Sequence, residues 1–202
     1  MKKGYIAIYG TNNLGKTTQL ELLQERCDKE GKSIHTQKYP IYDLVPTGPL
    51  IFGVMKKGNP LKIKAGELQA LTAKNRFDYQ QTVRDILNGN SNSPYPSSRA
   101  IIAEMYTGTG IAFGLGDRVK KEFLLAVNEG LLIPDVSILF DGERFKESIE
   151  EGHRYEENDK KTIRIRKIHQ ILAKEMGWHI INANRTREEI HEEIWGLIKD
   201  FL

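Results

Sequence analysis

The sequence predicts an α/β fold in which a five-stranded, mostly parallel sheet is flanked by helices. Two observations lead to this prediction. β-like and helix-like segments alternate along the 202 residues, an order typical of strands joined by helical crossovers. The first apolar run, residues 5–9, is nearly continuous, as expected of a parallel strand that is buried on both faces.

The first half of the chain contains two predicted strands and three predicted helices. A helix is expected after the first strand because Leu20, Leu23 and Cys27 fall on one helical face, and Gly31 supplies its stop. Prolines and glycines then mark a loop, and the segment rich in Asn, Ser, Pro and Gly at 88–98 is a surface loop. These patterns predict strands at 5–9 and 33–39, and helices at 16–30, 50–57 and 66–87.

The second half repeats the alternation around one glycine-rich stretch and one charged stretch. The glycines of 108–116 are expected to form a loop that leads into a helix. Asp141 ends a strand and is interpreted as part of a turn and helix start. Thr186 and Glu189 fit the capping box that opens the last helix. These patterns predict strands at 100–103, 136–140 and 178–181, and helices at 119–128, 163–176 and 186–202.

Composition limits the class of protein and the compartment. The chain is 39% hydrophobic and 28% charged with a formal net charge of +3, which disfavours disorder and gives no sign of a nucleic-acid or membrane partner. Its single cysteine, Cys27, excludes an internal disulfide framework. No signal or membrane-spanning run is visible, so we expect one cytoplasmic domain over 1–202.

The strongest motif is a phosphate-binding loop between the first strand and the first helix. Gly10-Thr11-Asn12-Asn13-Leu14-Gly15-Lys16-Thr17 matches G-x-x-x-x-G-K-[ST] at every fixed position. Backbone N–H groups and the helix N-terminus favour phosphate oxygens, Lys16 can bridge the outer phosphates, and the Thr17 hydroxyl can ligate Mg²⁺. The loop, extended to Thr18, therefore predicts a P-loop NTPase fold that binds a nucleoside triphosphate.

Other nucleotide-binding classes fit less well. The second half has no N-K-x-D segment to read guanine, which disfavours a GTPase. The first loop lacks G-x-G-x-x-G, which disfavours a Rossmann dehydrogenase. A motor ATPase would need a longer chain with oligomeric arginine fingers.

Beyond the loop, the order of short motifs resembles the thymidylate kinase family from residue 5 to about 183. Tyr39-Pro40 resembles the family's Phe-Pro, and Glu104-Met105-Tyr106 lies where the family has Asp-Arg-Tyr. Each further segment is short, and their shared order and spacing carry the resemblance. These segments are Leu71-Thr72-Ala73-Lys74-Asn75-Arg76, Pro134-Asp135, His153-Arg154-Tyr155-Glu156 and Arg166.

The resemblance implies a nucleoside monophosphate kinase that transfers the γ-phosphate of ATP, with Mg²⁺, to a deoxynucleoside monophosphate, with dTMP as the expected acceptor. It implies a mobile lid at about 147–161 that contributes Arg154 to catalysis beside Lys16 and Glu104. Glu104 would also act with Thr17 toward Mg²⁺, unless it is a carboxylate facing solvent. The resemblance further implies a homodimer, with 66–87 and 119–128 as contact surfaces.

On the acceptor side the resemblance points to five residues. Arg76 would read the pyrimidine edge, although a salt bridge to a neighbouring carboxylate would also explain it. Tyr106 would pack beneath the sugar, unless it is an ordinary half-buried aromatic. The others are Tyr39, Asn12 and Thr72.

Four positions depart from the family pattern, and all of them lie at or near the acceptor side. Tyr9 and Asn12 replace acidic residues, Thr72 replaces a phenylalanine that stacks on thymine, and Met105 replaces the arginine that holds the acceptor phosphate. Asn13 replaces a loop arginine of some members, so the cation should come from Arg154. Phe77, Tyr79 or Phe113 could supply the missing ring, and Arg99, Arg118 or Lys74 the missing cation.

These departures predict weak activity on dTMP, which Met105→Arg should improve. They also leave two alternatives open. The chain could be a kinase for a different small acceptor, or a nucleotide-binding module without phosphotransfer.

Overall fold

The computed structural model describes residues 4–91, 93–143 and 159–202. Within these ranges one parallel sheet runs in the order β2-β3-β1-β4-β5. The predicted five-stranded sheet is thus confirmed. Its strands are β1 (Gly4–Tyr9), β2 (Ile34–Lys38), β3 (Ala100–Glu104), β4 (Val136–Asp141) and β5 (His179–Asn182).

Helices cover both faces of the sheet. On one face, Ile6 and Ile8 of β1 pack in a buried cluster with Leu23 and Ile194. On the other face, Tyr5, Ala7 and Tyr9 pack toward the remaining helices, as the alternation of side chains along a strand requires. The helices are α1 (Lys16–Lys29), α2 (Thr47–Lys56), α3 (Ala65–Asn88), α4 (Thr107–Gly116), α5 (Lys121–Ala126), α6 (Asp159–Met176) and α7 (Arg187–Ile198), followed by a 3₁₀ turn at Lys199–Phe201.

The prediction of a loop at 108–116 is wrong, because this stretch is helix α4. Its glycines admit neighbouring side chains at close range. A Cβ on Gly108 would lie 2.3 Å from the Trp178 ring, and one on Gly116 would lie 2.6 Å from Ile165. Glycine costs a helix roughly 1 kcal/mol relative to alanine, and the close packing of other elements on α4 offsets that cost. This compensation depends on tertiary contacts, which a single-sequence pattern does not contain.

Four other helices differ from their predicted bounds by more than one residue, among them α6, which begins at Asp159 rather than at 163. α2 begins at Thr47 rather than at 50. α5 is confined to Lys121–Ala126 within the predicted 119–128. α7 ends at Ile198 before the 3₁₀ turn, while the predicted capping box is present, with Thr186 accepting from the Glu189 backbone.

Asp135 joins β4 to β1 at the amino edge of the sheet. Its carboxylate accepts a hydrogen bond from the Tyr5 backbone N–H at 2.9 Å, and its own N–H donates to the Tyr5 carbonyl at 2.7 Å. The phosphate loop follows the opposite end of β1. Pro134-Asp135 is therefore a structural motif that fixes strand register.

Candidate active site

A cleft of about 860 Å³ opens at the carboxyl edge of the sheet. The loop after β1, the ends of β2 and β3, and side chains of α2, α3 and α4 form its walls. The sheet order puts the β1 loop beside β3 at this edge. A crevice outside the carboxyl ends of parallel strands is where open α/β sheets bind their ligands.

The phosphate loop has the strained backbone that its glycines allow. Gly10 has φ of 133°, and a Cβ there would lie 2.6 Å from the carbonyl oxygen of Phe140. Gly15 is left-handed, with φ of 75°, where α1 begins. The buried Lys16 side chain donates from Nζ to the Thr11 carbonyl at 2.6 Å. Lys16 therefore folds back over its own loop, and residues 12–18 form part of the cleft wall while Gly10 and Thr11 lie behind them.

Glu104 faces the cleft next to the phosphate loop. Only 4% of this residue is exposed, so the alternative of a solvent-facing carboxylate is wrong. The Thr17 hydroxyl donates to its Oε2 at 3.4 Å, and Lys38 Nζ lies 3.6 Å from its Oε1. This pairing of Thr17 and Glu104 puts two oxygen ligands of the kind that Mg²⁺ prefers at the mouth of the loop.

A Mg²⁺ ion at this place would depend on nucleotide oxygens as well. Within the described residues there is no group of three or more acidic, histidine or cysteine side chains that could hold a metal. Mg²⁺ commonly binds through one or two protein oxygens together with substrate phosphates. The Thr17 and Glu104 oxygens fit that mode of binding.

Arg76 is a buried cation at the far wall of the cleft. It is 4% exposed, its Nη1 donates to Asn128 at 3.4 Å, and its guanidinium carbon lies 6.0 Å from the Tyr106 ring centre. Among the residues that the structure describes, the Nε atom has no hydrogen-bond partner, and burial lowers the pKa of the guanidinium. In the described parts of the chain its hydrogen-bond partner is Asn128 and the ionisable groups that act on it are tyrosines, so the salt-bridge alternative for Arg76 is wrong as far as the described residues go.

Polar groups of α3 surround Arg76. The Thr72 hydroxyl donates to the Gln69 carbonyl at 2.9 Å, and both side chains are buried and line the cleft. Among the three aromatic residues that could replace the missing phenylalanine, Phe113 lines the cleft, whereas Phe77 and Tyr79 do not. This wall therefore offers hydrogen bonds together with the Phe113 ring.

Tyr39 and Tyr106 belong to a cluster of buried tyrosines. Their ring centres lie 5.3 Å apart, and Tyr106 meets the Tyr5 ring edge-on at 5.2 Å. Burial raises the pKa of Tyr39 to about 12. Tyr39 lines the cleft, but Tyr106 is 2% exposed and is not among the lining residues. Tyr106 thus supports the wall from behind, and the structure does not bring its side chain to the cleft.

Cleft residues that the sequence reasoning missed include Lys38, Lys56, Gln69 and Arg185. The position of Lys38 could have been found from the sequence, because it directly precedes Tyr39-Pro40 at the end of a predicted strand. Gln69 carried a weaker signal, because it lies one helical turn before Thr72 and two before Arg76. Lys56 and Arg185 reach the cleft only through the packing of α2 and α7.

The basic residues considered as replacements for the arginine at 105 do not line this cleft. Arg99 lies at the amino end of β3, where its N–H donates to Ser33. Lys74 pairs with Asp78 at 2.6 Å on the exposed side of α3, and Arg118 follows α4 beside Asp117. Arg154 and most of the predicted lid lie outside the described residues.

Asp141 ends β4 and anchors α6 to the sheet. The chain bends at Gly142 directly after it, and the helix start predicted there lies outside the described residues. Arg166 donates to both carboxylate oxygens of Asp141, at 2.6 and 3.2 Å, and Gln170 donates at 2.9 Å. Burial opposes ionisation of Asp141, but these hydrogen bonds outweigh it and the pKa of the carboxyl lies below its ordinary value. The predicted arginine near the start of this helix is therefore a structural partner of Asp141.

The fold and the phosphate loop together define a P-loop nucleotide-binding domain. Its cleft has a second wall, which contains Arg76 and lies opposite the phosphate loop. A family model described as thymidylate kinase matches residues 8–194. The chain belongs to the thymidylate kinase family, whose members are ATP-dependent nucleoside monophosphate kinases.

Individual relatives extend over nearly the whole chain. A thymidylate kinase of Dictyostelium discoideum is 25% identical, with 96% of this chain and 84% of that protein covered. A probable thymidylate kinase of Pyrococcus abyssi is 27% identical, with 98% and 97% covered. The solved thymidylate kinase of Candida albicans shares the fold, with a TM-score of 0.80 at 20% identity over 98% of this chain and 92% of that chain.

Proposed function

We propose that the chain transfers the γ-phosphoryl group of Mg²⁺·ATP to dTMP. The observation that carries the proposal is the pairing of two sites in one cleft, a phosphate loop at one wall and the buried guanidinium of Arg76 at the other. The two walls are joined by Glu104 and Lys38 at the strand ends. Phosphoryl transfer requires a donor and an acceptor held in line, with their charges neutralised.

On the donor side, the backbone N–H groups of residues 10–18 and the N-terminus of α1 would hold the triphosphate. Lys16 would leave its contact with the Thr11 carbonyl and turn to the transferring group. Thr17 and Glu104 would hold Mg²⁺, which offsets the developing phosphate charge when it is bound. Arg154 of the predicted lid remains our proposal for the second catalytic cation.

On the acceptor side, Arg76 would meet a base carbonyl with its fork of N–H donors. Its position is fixed before binding by Asn128 and by the tyrosines behind it. Gln69 and Thr72 would complete the polar wall, with Tyr39 and Asn12 closer to the sugar. Because Arg76 has no carboxylate partner in the described structure, a carbonyl ligand would relieve a cost that the free protein already carries.

The test is ADP release measured with purified protein across a panel of nucleoside monophosphates at saturating Mg²⁺·ATP. We expect turnover that is fastest with dTMP. Lys16→Ala should abolish it, because the lost charge stabilises the transition state by about 3 kcal/mol or more. Lys29→Ala, an exposed change at the end of the same helix, is the matched control. Wild-type activity in Lys16→Ala would contradict the phosphate-loop assignment.

The polar wall around Thr72 favours one second candidate, a kinase for a different small acceptor. The same panel decides between the two, because a preference for another monophosphate would favour this candidate over dTMP. ATP binding without turnover on any acceptor would instead indicate a nucleotide-binding module.

A homodimer through α3 and α5 is the assembly that we propose. Phe77 of α3 and Phe123 and Leu125 of α5 are 37%, 41% and 42% exposed, which is high for large apolar side chains. Light scattering on wild type and Phe123→Asp tests the assembly, with a dimer expected for the first and a monomer for the second. A monomeric wild type would contradict it.

A further inference from the structure

Lys38 is a charged residue of the cleft to which the family resemblance assigns no role. It is the last residue of β2 and is paired in register with Glu104 at the end of β3. Its Nζ lies 3.6 Å from Glu104 Oε1, while 64% of the side chain remains exposed. This separation is too long for a hydrogen bond, and only the lysine end of the pair is exposed, since the Glu104 side chain is 5% exposed. The ammonium can therefore turn toward a ligand while Glu104 keeps its hydrogen bond from the Thr17 hydroxyl.

Strand order puts Lys38 on the acceptor side of Glu104. The phosphate loop follows the central strand β1, Glu104 ends the neighbouring strand β3, and Lys38 ends the edge strand β2. Neighbouring strands lie about 4.8 Å apart. A phosphate bound by Lys38 would therefore lie across Glu104 from the donor phosphates, which is the arrangement that transfer between two phosphates needs.

The neighbouring residue Met105 contributes no positive charge to this part of the cleft. Met105 lines the cleft, and its sulfur lies 3.9 Å from the Thr109 hydroxyl. A thioether carries no charge and accepts only weak hydrogen bonds. A dianionic phosphate at the carboxyl ends of β2 and β3 would face the Glu104 carboxylate, so it needs compensation from a bound metal or from a lysine of the cleft, Lys38 or Lys56.

We propose that Lys38 binds the phosphate of the acceptor nucleotide, in place of the arginine absent at position 105. This assignment rests on the proposed function and names the residue that recognises the acceptor's charged group. Lys56 also lines the cleft, in the last turn of α2. Lys38 is the better candidate because its contact with Glu104 places it beside the transferring groups. The absence of an arginine at position 105 was the reason to expect weak dTMP binding. If Lys38 binds the phosphate, that reason no longer applies.

Calorimetric titration of dTMP and of thymidine separates phosphate recognition from base recognition. We expect Lys38→Met to weaken dTMP binding about ten- to hundredfold, the value of one charge-assisted hydrogen bond, and to leave thymidine binding unchanged. Lys38→Arg should keep most of the dTMP affinity. Lys74→Met is the matched control, because Lys74 pairs with Asp78 on the outer side of α3, and it should leave both affinities unchanged.

Several results would overturn the assignment. Equal weakening of dTMP and thymidine would show that Lys38 only maintains the fold of the cleft. Unchanged dTMP binding in Lys38→Met, or a selective loss in Lys56→Met instead, would assign the phosphate to another cation while the proposed function stands. If the wild type bound neither dTMP nor thymidine, the proposed function would fail together with this assignment.

Discussion

Arg76 shows how a residue can serve binding at the expense of stability. Its guanidinium is buried against Asn128 and the tyrosine cluster, its Nε atom has no partner, and burial lowers its pKa. A buried charge without full compensation destabilises the native state. The free protein therefore carries a cost that a ligand carbonyl would reduce.

We expect Arg76→Met to raise the free energy of unfolding by about 1 kcal/mol or more while acceptor binding is lost. Methionine fills a similar volume without a buried charge. Chemical denaturation measures the first effect, and calorimetry with dTMP measures the second. A variant that is both less stable and unable to bind would show that Arg76 is mainly a structural residue.

Residue-level prediction from the sequence succeeded where chemistry depends on local spacing. The phosphate loop was visible because its glycines, lysine and threonine lie at fixed spacings within the single segment 10–17. Lys38 and Gln69 were not predicted, because their access to the cleft depends on the pairing of β2 with β3 and on the packing of α3. The contact of Asp141 with α6 was not predicted for the same reason, since its partners Arg166 and Gln170 come later in the chain.

Helix α4 is the element in which local preference and tertiary packing disagree most. Its glycines lower helix propensity, and the sequence pattern accordingly indicated a loop. The structure has a helix there, and its glycines let other elements pack closely against it. A Cβ on Gly108 would lie 2.3 Å from the Trp178 ring. Trp178 in turn stacks on Tyr9 at 4.2 Å.

We expect Gly108→Ala to destabilise the protein by about 1–3 kcal/mol, because the new methyl group overpacks a rigid ring. Gly196→Ala is the matched control in α7, where nothing lies within 4 Å of the position that the added methyl group would take. That change should stabilise by up to about 1 kcal/mol, since alanine is the better helix former. Thermal denaturation compares them, and equal shifts would contradict the packing argument.

Helix α6 carries a buried histidine that links stability to pH. The His169 ring is 1% exposed, with Nδ1 3.0 Å from the Ile165 carbonyl, and Nε2 has no partner within the described ranges of the chain. Burial lowers the pKa of His169 to about 4, whereas the unfolded value is about 6.5. The contribution of neutral His169 to the free energy of unfolding is thus complete above about pH 6.5. It is lost as the pH falls toward 4.

His169→Gln is expected to flatten the dependence of unfolding free energy on pH in this window. The slope removed is at most about 1.4 kcal/mol per pH unit, the value for one proton. His179→Gln, a change at an exposed position on β5, should leave the slope as it is. Urea denaturation at several pH values between 4 and 7 provides the comparison, and an unchanged slope in His169→Gln would assign the dependence to other groups.

At the scale of the whole molecule, the sequence was sufficient to predict the sheet, its parallel sense and the edge at which the cleft opens. Alternating strands and helices impose parallel pairing, and a phosphate loop must lie at a strand's carboxyl end. The order of the strands in the sheet could not be predicted in this way. It depends on which face of the sheet each connecting helix covers, and the sequence pattern does not contain that information. In the described residues, no helix is long and apolar enough to cross a membrane.

The central place of β1 in the sheet has a consequence for how the protein folds. β1 is bordered by β3 and β4, and its Tyr5 backbone bonds to Asp135, 130 residues away. Such contacts close large loops and slow folding. A ribosome-bound chain that ends before β4 lacks one of the two strands that pair with β1. The phosphate loop, which follows β1, should therefore form late.

We expect a fluorescent ATP analogue to bind during refolding only in the slowest phase, after most helical circular dichroism has returned. The helices depend on short-range contacts, whereas the phosphate loop needs β1 to be paired with both β3 and β4. ATP binding that recovers together with the earliest helical signal would contradict this order. A kinase assembled in this way would acquire its affinity for nucleotide only once most of the chain has left the ribosome.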